Sequence, residues 1–281
     1  MHNLSKIREF FKNEKIEYYS AVPLTKCRIT KPYLLEKSGI SADSGSALML
    51  LAPYYTGNHD GNVSLYAVPR DYHIHFARLF RDLCELLTLV FPDQRFVGFA
   101  DHSPIDEVHA SAAAGLGAVG DNRMLINERY ASFVFIGAVF SNMSADGYGD
   151  ISRDVSLISN IAECAHCGKC TTACPSLQYS CEDEPVMCLS ALTQKKGAMT
   201  ATESDMLIKN NVVWGCDACQ TCCPMCTPHV TEIDFFHQHL IANLDIPTLT
   251  AMNESDFAQR AYSWRGRETI MRNLQITGAM E

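Results

Sequence analysis

The stretch CAHCGKCTTACP, residues 164 to 175, is the most informative part of this chain of 281 residues about the structure of its second half. It holds four cysteines separated by two, two and three residues, and a proline follows the last: Cys164, Cys167, Cys170, Cys174 and Pro175. A tight loop with this spacing directs three sulfurs around one metal centre, and the chain then turns away at the proline. The stretch therefore predicts a metal site held by a compact loop.

The other cysteines agree with metal binding rather than disulfide bonding. The chain has 13 cysteines, and most of them follow residue 163. The first residues, MHNLSKIREFFKNEKIEYY, are charged and have neither the apolar segment nor the cleavage site of a signal peptide. No apolar run is long enough to span a membrane. We therefore expect a cytoplasmic protein without membrane contacts, in a compartment that keeps thiols reduced.

The spacing of the first cysteine run is that of bacterial ferredoxins. There, three thiolates hold one [4Fe-4S] cluster and the fourth binds the other cluster. Zinc is the alternative, because two C-x2-C pairs can form a tetrahedral site. Zinc would leave the remaining cysteines and both Cys-Pro pairs unexplained. The sequence therefore favours two iron–sulfur clusters, which need eight ligands.

The second run, GCDACQTCCPMC at residues 215 to 226, offers more sulfur than one loop needs. It supplies Cys216 and Cys219, and then the adjacent pair Cys222 and Cys223. In one scheme both neighbours bind. In the other, Cys223 alone binds before Pro224, and an upstream cysteine completes the set, either Cys181 or Cys188. Spacing alone does not choose between the schemes.

The first 150 residues predict a mixed α/β fold, because apolar runs alternate with helical stripes. Strands are expected at residues 47–55, 95–101 and 132–141, and helices at 4–11, 71–91 and 104–115. The last of these helices begins at Pro104 behind Ser103 as cap and ends at Gly115. The polar stretch SADGYGD, residues 144 to 150, predicts a domain boundary.

The remainder predicts a cysteine-rich domain and then helices. We expect an α/β domain at residues 1–150, a ferredoxin-like domain at 151–233 and a helical segment at 234–281. In the last segment and just before it, residues 231–244 and 254–276 each predict one helix. The tail carries four arginines between aromatic residues: Arg260, Tyr262, Trp264, Arg265, Arg267 and Arg272. Such a face can hold an RNA backbone and stack bases, or it is a solvated helix face with packed aromatics. The net charge of −9 excludes a wholly basic nucleic-acid binder.

Six stretches, in order and spacing, resemble the epoxyqueuosine reductase family, which comprises cobalamin-dependent iron–sulfur enzymes of tRNA queuosine modification. They are YAVPRDYH (66–73), FADHSPIDEVHASAAAGLGAVGDNRMLIN (99–127), YASFVFIGAVF (130–140), CAHCGKCTTACP (164–175), CLSALT (188–193) and WGCDACQTCCP (214–224). The resemblance extends from about residue 47 to residue 275. It implies a corrinoid-binding α/β module joined to a ferredoxin-like domain with two [4Fe-4S] clusters.

The resemblance also implies a division of the ligands. The first cluster takes Cys164, Cys167, Cys170 and Cys223, and the second takes Cys174, Cys188, Cys216 and Cys219. Three cysteines fall on positions that the family does not use: Cys181, Cys222 and Cys226. These three are expected to be packing residues or free thiols.

In the reaction that the resemblance implies, electrons pass through the clusters to cobalamin, and the reduced cobalt opens an epoxide. Asp101 matches the proton donor, and burial against a corrin would raise its pKa. The alternative is that Asp101 caps the helix expected at Pro104. The matching corrinoid contacts are Tyr66, Gly117, Gly120 and Asn122, with Asp101 beside them. The implied partners are a low-potential electron donor of the flavodoxin or ferredoxin type, and tRNA.

The chain departs from the family at four places near these residues. It has Asp121 where a basic residue is usual, Ala118 for an aromatic residue, Val108 for arginine and Ala138 for glutamate. An aspartate in place of a lysine reverses the local charge, which would repel a phosphate. A non-catalytic electron carrier, with clusters on a degenerate α/β module, is the second interpretation. A zinc-structured interaction protein is the third.

Overall fold

The computed structural model describes residues 2–151, 159–179, 187–225 and 227–278. The chain forms two compact units, each of which is built from three separate stretches of the sequence. The first unit comprises Met1–Tyr54, His75–His166 and Met225–Ile233, and the second comprises Tyr55–Ile74, Cys167–Pro224 and Asp234–Glu281. These units are defined by contacts in space and are not continuous in sequence. They therefore do not test the three consecutive domains expected from the sequence, which stay a prediction.

A four-stranded antiparallel sheet forms the centre of the first unit. Its strands are β1 (Tyr18–Pro23), β2 (Ser46–Pro53), β3 (Phe96–Phe99) and β6 (Val134–Ser141), in the order β1-β2-β6-β3. Every residue of β2 is buried, which explains why this strand is apolar without alternation. In the sequence between β3 and β6, the strands β4 (Ala118–Val119) and β5 (Leu125–Ile126) form a separate short hairpin.

Four helices belong wholly or largely to this unit: α1 (His2–Asn13), α2 (Pro32–Ser38), α3 (Tyr72–Val90) and α4 (Glu107–Ala113). Two glycines allow α3 to approach the sheet. A Cβ atom at Gly98 would overlap the Phe80 ring, and one at Gly137 would overlap the Phe76 ring. The mixed α/β fold predicted for this region is confirmed, and so are the predicted elements that correspond to α1, α3, β2, β3 and β6.

The start of α4 differs from the prediction. The helix begins at Glu107, and its cap is Asp106, which accepts a hydrogen bond from the His109 N–H at 3.3 Å. Residues before it stay extended because the Pro104 carbonyl accepts bonds from the N–H groups of Thr30 and Lys31. Gly115 follows the helix with φ of 80°, as its role at the helix end predicts.

Eight helices of the described residues belong to the second unit: α5 (Lys169–Ala173), α6 (Pro175–Tyr179), α7 (Leu189–Thr193), α8 (Ala201–Asn210), α9 (Ala218–Thr221), α10 (Ile246–Ala251), α11 (Glu254–Ala258) and α12 (Arg267–Gly278). Helices α10, α11 and α12 pack around Trp214 and Tyr262, which are both fully buried. Helices α7 and α8 form a smaller core of their own. Helix α8 begins with a capping box between Thr200 and Glu203.

The two long helices predicted after residue 230 are wrong. Residues 231–244 form only a 3-10 turn at Asp234–His237. Further along, α11 and α12 replace a single helix, and Gly266 with φ of 83° separates them. In the first of these segments His239 has a left-handed φ of 53°, which no helix accommodates, and its carbonyl accepts a hydrogen bond of 2.6 Å from the buried Arg260 guanidinium.

Candidate functional sites

All the cysteines that the structure describes are free thiols. Most of the cysteines in the two runs lie on or beside helices of four or five residues, so the loops between these helices set their positions. Gly168, with φ of 71°, precedes α5 and turns the chain sharply inside the first run. Cys181 and Cys226 lie outside the described residues.

One group of four thiols gathers in the second unit. Burial raises the pKa of Cys216, and the nearby Cys188 and Cys174 raise it further. Burial likewise raises the pKa of Cys219 to about 12, with added repulsion from the other three sulfurs. Four thiolates so placed repel one another, so a bound cation is needed to keep them ionised together.

Asp217 fixes the loop that carries two of these thiols, and sequence reasoning missed it. Its carboxylate accepts a hydrogen bond from the Ser64 hydroxyl at 2.6 Å and one from the Leu65 N–H at 2.8 Å. Burial raises its pKa above the ordinary value for an aspartate, and these two hydrogen bonds offset only part of that rise. The only available signal was an acidic residue between two cysteines.

A second group of thiols lies around Cys222. Burial raises the pKa of Cys222, and Cys170, Cys223 and Cys167 raise it further by their charge. The Cys222 thiol also donates to the Cys219 carbonyl at 3.7 Å. Cys222, which is expected to be a packing residue or a free thiol, therefore lies beside three predicted cluster ligands.

Cys164, the first cysteine of the run, belongs to the first unit and has two polar neighbours there. Its sulfur lies within 4.8 Å of ligand atoms of Asp121 and His166. His166 Nδ1 lies 2.8 Å from Asp121 Oδ1. The aspartate that stands at the family's basic position therefore pairs with a histidine of the cysteine run.

Asp101 lies in the loop that follows β3 and is exposed. Its φ of 62° is left-handed, a conformation that aspartate tolerates better than most residues. It does not cap α4, because Asp106 does so. The capping role considered for Asp101 is therefore wrong.

Glu107, the first residue of α4, is a second carboxyl beside Asp101, and sequence reasoning missed it. Burial raises its pKa to about 8, and the Asp101 charge adds to the rise. Its Oε1 atom is buried and has no hydrogen-bond partner among the described residues. A carboxylic acid of this kind keeps its proton at neutral pH. A glutamate six residues after Asp101 was the available signal.

The residues matched to corrinoid contacts have local roles in the structure. Gly117 allows the β4–β5 hairpin to close, since a Cβ atom there would overlap the Ile126 carbonyl. Asn122 Oδ1 accepts from the Met124 N–H at 3.1 Å in the hairpin turn, and a Cβ atom at Gly120 would meet that same oxygen. These contacts explain the sequence of the hairpin without any cofactor.

Tyr66 and the departures from the family also fit into packing. The Tyr66 hydroxyl accepts from Trp214 Nε1 at 2.7 Å in the second unit. Ala138 lies in the middle of β6 and is fully buried, and Ala118 is nearly so. Val108 packs against the core of the first unit. A glutamate at residue 138 would be buried in the sheet, so alanine suits this core.

Three of the four tail arginines hold main-chain carbonyls rather than facing a partner. Arg260 binds those of His239, Ala67 and Val68, Arg267 binds those of Leu249, Met252 and Asn253, and Arg272 binds those of Lys195 and Gly197. Arg265 instead lies over the ring of Trp264, 3.9 Å from its centroid. Trp264 is 60% exposed, whereas Tyr262 is fully buried. Of the residues considered for an RNA-binding face in the tail, Trp264 is therefore the most exposed aromatic side chain, and Arg265 is the arginine without a main-chain carbonyl partner among the described residues.

Curated proteins with similar sequences are named epoxyqueuosine reductase. The relative from Listeria monocytogenes is 31% identical over 218 residues, which are 73% of this chain and 54% of the relative. The relative from Francisella cf. novicida is 30% identical over 207 residues, 72% of this chain and 55% of the relative. The chain thus matches little more than half the length of these relatives. No family model matches the sequence.

Solved structures show the same fold. Epoxyqueuosine reductase from Streptococcus thermophilus superposes with a TM-score of 0.68 at 20% identity, over 99% of this chain and 81% of that one. An epoxyqueuosine reductase bound to a modified tRNA-Tyr stem loop gives 0.72 at 20% identity, over 98% and 80%. No described helix has both the length and the apolarity needed to cross a membrane.

The fold and the cysteine runs place this chain in a class of mixed α/β proteins that carry a cysteine-rich helical unit. Within that class, the chain belongs to the epoxyqueuosine reductase family. The family recognised from the sequence motifs is therefore confirmed.

Proposed function

We propose that this protein is an iron–sulfur oxidoreductase of the epoxyqueuosine reductase type. It passes electrons through two [4Fe-4S] clusters to a corrinoid and reduces an epoxide-type substrate during tRNA queuosine modification. In this proposal residues 1–150 bind the corrinoid, residues 151–233 are the ferredoxin-like domain and residues 234–281 are the helical segment. The observation that carries the proposal is the gathering of thiols in the second unit of a protein homologous to these reductases.

The second cluster would be held by the four thiols that lie together: Cys174, Cys188, Cys216 and Cys219. Zinc bound by thiolates at about 2.3 Å would require sulfurs about 3.8 Å apart. Among the described cysteines, no three sulfurs lie within 4.8 Å of one another. A cubane suits a wider set, because each thiolate binds a different iron atom. The donor set therefore fits an iron–sulfur cluster better than zinc.

The first cluster would be held by Cys164, Cys167, Cys170 and Cys223. The last three share the surroundings of Cys222 in the second unit. Pro224 follows Cys223, as Pro175 follows Cys174, and this Cys-Pro pair favours Cys223 over its neighbour. Cys222 is proposed to remain a free thiol.

The corrinoid is proposed from homology, with Tyr66, Asp101, Gly117, Gly120 and Asn122 as its contacts. The described hairpin carries no orphaned polar atom or unexplained gap that marks a corrinoid there. When bound, a corrinoid supplies a reduced cobalt centre as the electron source for opening an epoxide. Asp101 would give a proton to the oxygen that is released. One related structure is described with its catalytic aspartate loop swung out of the active site, which supports an aspartate in this role.

The tRNA partner is proposed to meet the second unit at Trp264 and Arg265. Arg265 also lines a cavity of about 320 Å³, together with Lys196, Gly197, Glu268, Thr269 and Arg272. Three basic side chains and one acidic side chain line this cavity, so it is locally positive although the whole chain has a net charge of −9. An exposed indole beside cationic groups suits a base and its phosphate. The electrons would come from a low-potential flavodoxin or ferredoxin.

Turnover tests the proposal directly. The protein, with its clusters intact, would be supplied with cobalamin, a low-potential reductant and a tRNA stem loop that contains epoxyqueuosine. We expect conversion to queuosine that requires cobalamin. Clusters that are reduced without any conversion would favour the electron-carrier interpretation instead. Conversion that does not require cobalamin would contradict the corrinoid but not the reductase activity.

A further inference from the structure

A cavity of about 720 Å³ lies beside α10 and α11 in the second unit, and we call it the arginine cavity. The charged side chains of Arg70 and Arg260 and the apolar side chains of Ile241 and Met252 all contribute to its lining. Sites for small organic molecules typically enclose roughly 300–1,000 Å³ and combine apolar walls with a few polar groups. The size and the lining of the arginine cavity therefore match those of a ligand site.

The backbone brings the two arginines of the cavity together. Arg70 and Arg260 lie opposite each other in an antiparallel β-bridge. Next to this bridge, the Asp71 N–H donates a hydrogen bond of 2.8 Å to the Gln259 carbonyl. Residues opposite each other in such a pair have Cβ atoms about 4.5–5.5 Å apart, and like charges there destabilise the pair. The fold therefore places two cationic side chains side by side at the cavity.

The Arg260 guanidinium is a buried cation that neutral groups hold. The residue is only 3% exposed. It donates to the main-chain carbonyls of His239, Ala67 and Val68. Its Nε atom is buried and has no hydrogen-bond partner among the described residues. Buried charges are ordinarily paired with an opposite charge, so this arrangement favours an anion nearby.

Arg70 is the arginine of the pair that a ligand can contact, because it is partly exposed whereas Arg260 is buried. Its Cζ atom lies 5.1 Å from the centroid of the Phe235 ring, a cation–π contact that holds the guanidinium in place. Its Nε atom is also buried and has no hydrogen-bond partner in the part of the chain that the structure describes. A held guanidinium with an unused donor is suited to binding an oxyanion.

The arginine cavity is positive at neutral pH, because its two arginines face one acidic side chain. That side chain is Asp256, and its Oδ2 atom accepts a hydrogen bond of 2.8 Å from Asn253 Nδ2. Burial lowers the pKa of Arg260, and the charge of Arg70 lowers it further. The two guanidinium groups therefore repel each other, and a bound anion would offset this repulsion.

We propose that the arginine cavity binds a small organic oxyanion, that is, a molecule with a phosphate or carboxylate group next to an apolar portion. The oxyanion accepts hydrogen bonds from the Arg70 guanidinium, whose planar donors suit either group. The apolar portion lies against Ile241 and Met252. None of the residues assigned to the clusters, the corrinoid or tRNA lines this cavity. The inference does not depend on the proposed function, because binding is measured without turnover.

Four probes test the chemistry of the site by calorimetric titration of the full chain. Phenyl phosphate and benzoate each combine an oxyanion with an apolar ring, and we expect one equivalent to bind. The tighter of the two identifies the preferred oxyanion. Inorganic phosphate lacks the ring and should bind more weakly, and benzyl alcohol lacks the charge and should not bind. Benzyl alcohol that binds as tightly as phenyl phosphate, or no binding of either oxyanion, would overturn the inference.

Two variants test the location of the site by different means. Arg70→Gln should weaken the binding of the preferred oxyanion by about tenfold or more, and Arg70→Lys should recover part of it, since lysine keeps the charge but not the planar donors. Ala251→Phe, at an exposed residue of the lining, should block binding without removing a charge. Arg81→Gln, on α3 with a side chain 63% exposed, is the matched control. Unchanged binding in both Arg70→Gln and Ala251→Phe, or loss of binding in Arg265→Ala instead, would overturn the inference.

Discussion

The Ser64 hydroxyl donates a hydrogen bond of 2.6 Å to the Asp217 carboxylate. This bond joins the loop between Cys216 and Cys219 to a segment that lies about 150 residues earlier. The second Asp217 oxygen accepts from the Leu65 N–H. The position of two proposed cluster ligands therefore depends on a buried carboxylate that binds no metal.

Replacing Asp217 tests this dependence. Asp217→Ala should lower the free energy of unfolding by about 1–3 kcal/mol, because it leaves the Leu65 N–H without its acceptor. It should also reduce the iron bound per chain. Chemical denaturation and iron analysis measure the two effects. Asp205→Ala, at a half-exposed ion pair on α8, should change neither by much. Unchanged iron and stability in Asp217→Ala would show that the loop holds itself.

The two adjacent cysteines should behave differently. Cys223→Ser should remove one cluster, about four irons per chain, because it deletes one of the four cysteine ligands proposed for the first cluster. Cys222→Ser should keep the full complement. Iron analysis and the electron paramagnetic resonance of the reduced protein distinguish the two variants. Loss of a cluster from Cys222→Ser with retention in Cys223→Ser would reverse the assignment.

Asp101→Asn should abolish turnover while leaving iron content and cobalamin binding intact, because asparagine retains the size of aspartate but has no acidic proton. Single-turnover assays and cobalamin titration report the two properties separately. His102→Gln is the neighbouring control on the same exposed loop. Retained activity in Asp101→Asn would remove Asp101 from the mechanism.

Trp264 offers a direct optical readout of RNA binding. The chain has two tryptophans, and Trp214 is fully buried while Trp264 is 60% exposed. Binding of a tRNA stem loop should therefore quench the emission of Trp264 and protect it from acrylamide. Arg265→Ala should weaken binding and reduce the salt slope by roughly one unit, unlike Arg81→Ala on α3.

A stem loop that binds equally well to Arg265→Ala, without quenching, would move the RNA contact elsewhere. Binding of an acidic electron-donor protein at Trp264 would give quenching with the donor and none with RNA. Either result would contradict the proposed tRNA contact.

Most strands and helices of the first unit could be predicted from the sequence, because the spacing of apolar residues within each element is enough to identify it. Residues 47–55 could be recognised as β2, since a strand buried on both faces is apolar throughout. The start of α4 could not be predicted, because it depends on hydrogen bonds from Thr30 and Lys31 to Pro104, about 70 residues away in the chain.

The tail shows the same limit. Four arginines between aromatic residues look alike in sequence, yet the positions of distant carbonyls decide which of them face solvent. Arg260 is buried and binds the carbonyls of Ala67 and Val68, whereas the Arg265 guanidinium lies over the Trp264 ring and binds no carbonyl of the described residues. Glu107 was missed for a related reason, because burial of its carboxyl group is a property of the assembled loop. The cysteine spacing, by contrast, is a local feature and can be recognised from the sequence alone.

Iron and sulfide content test most directly whether the cysteines hold two iron–sulfur clusters. Anaerobically purified protein should contain about eight irons and eight sulfides per chain and should show a broad absorption band at about 400 nm. The Cys188→Ser and Cys223→Ser proteins should each lose about half of the iron. Stoichiometric zinc in a colourless protein, without iron or sulfide after anaerobic reconstitution, would contradict the assignment of two iron–sulfur clusters.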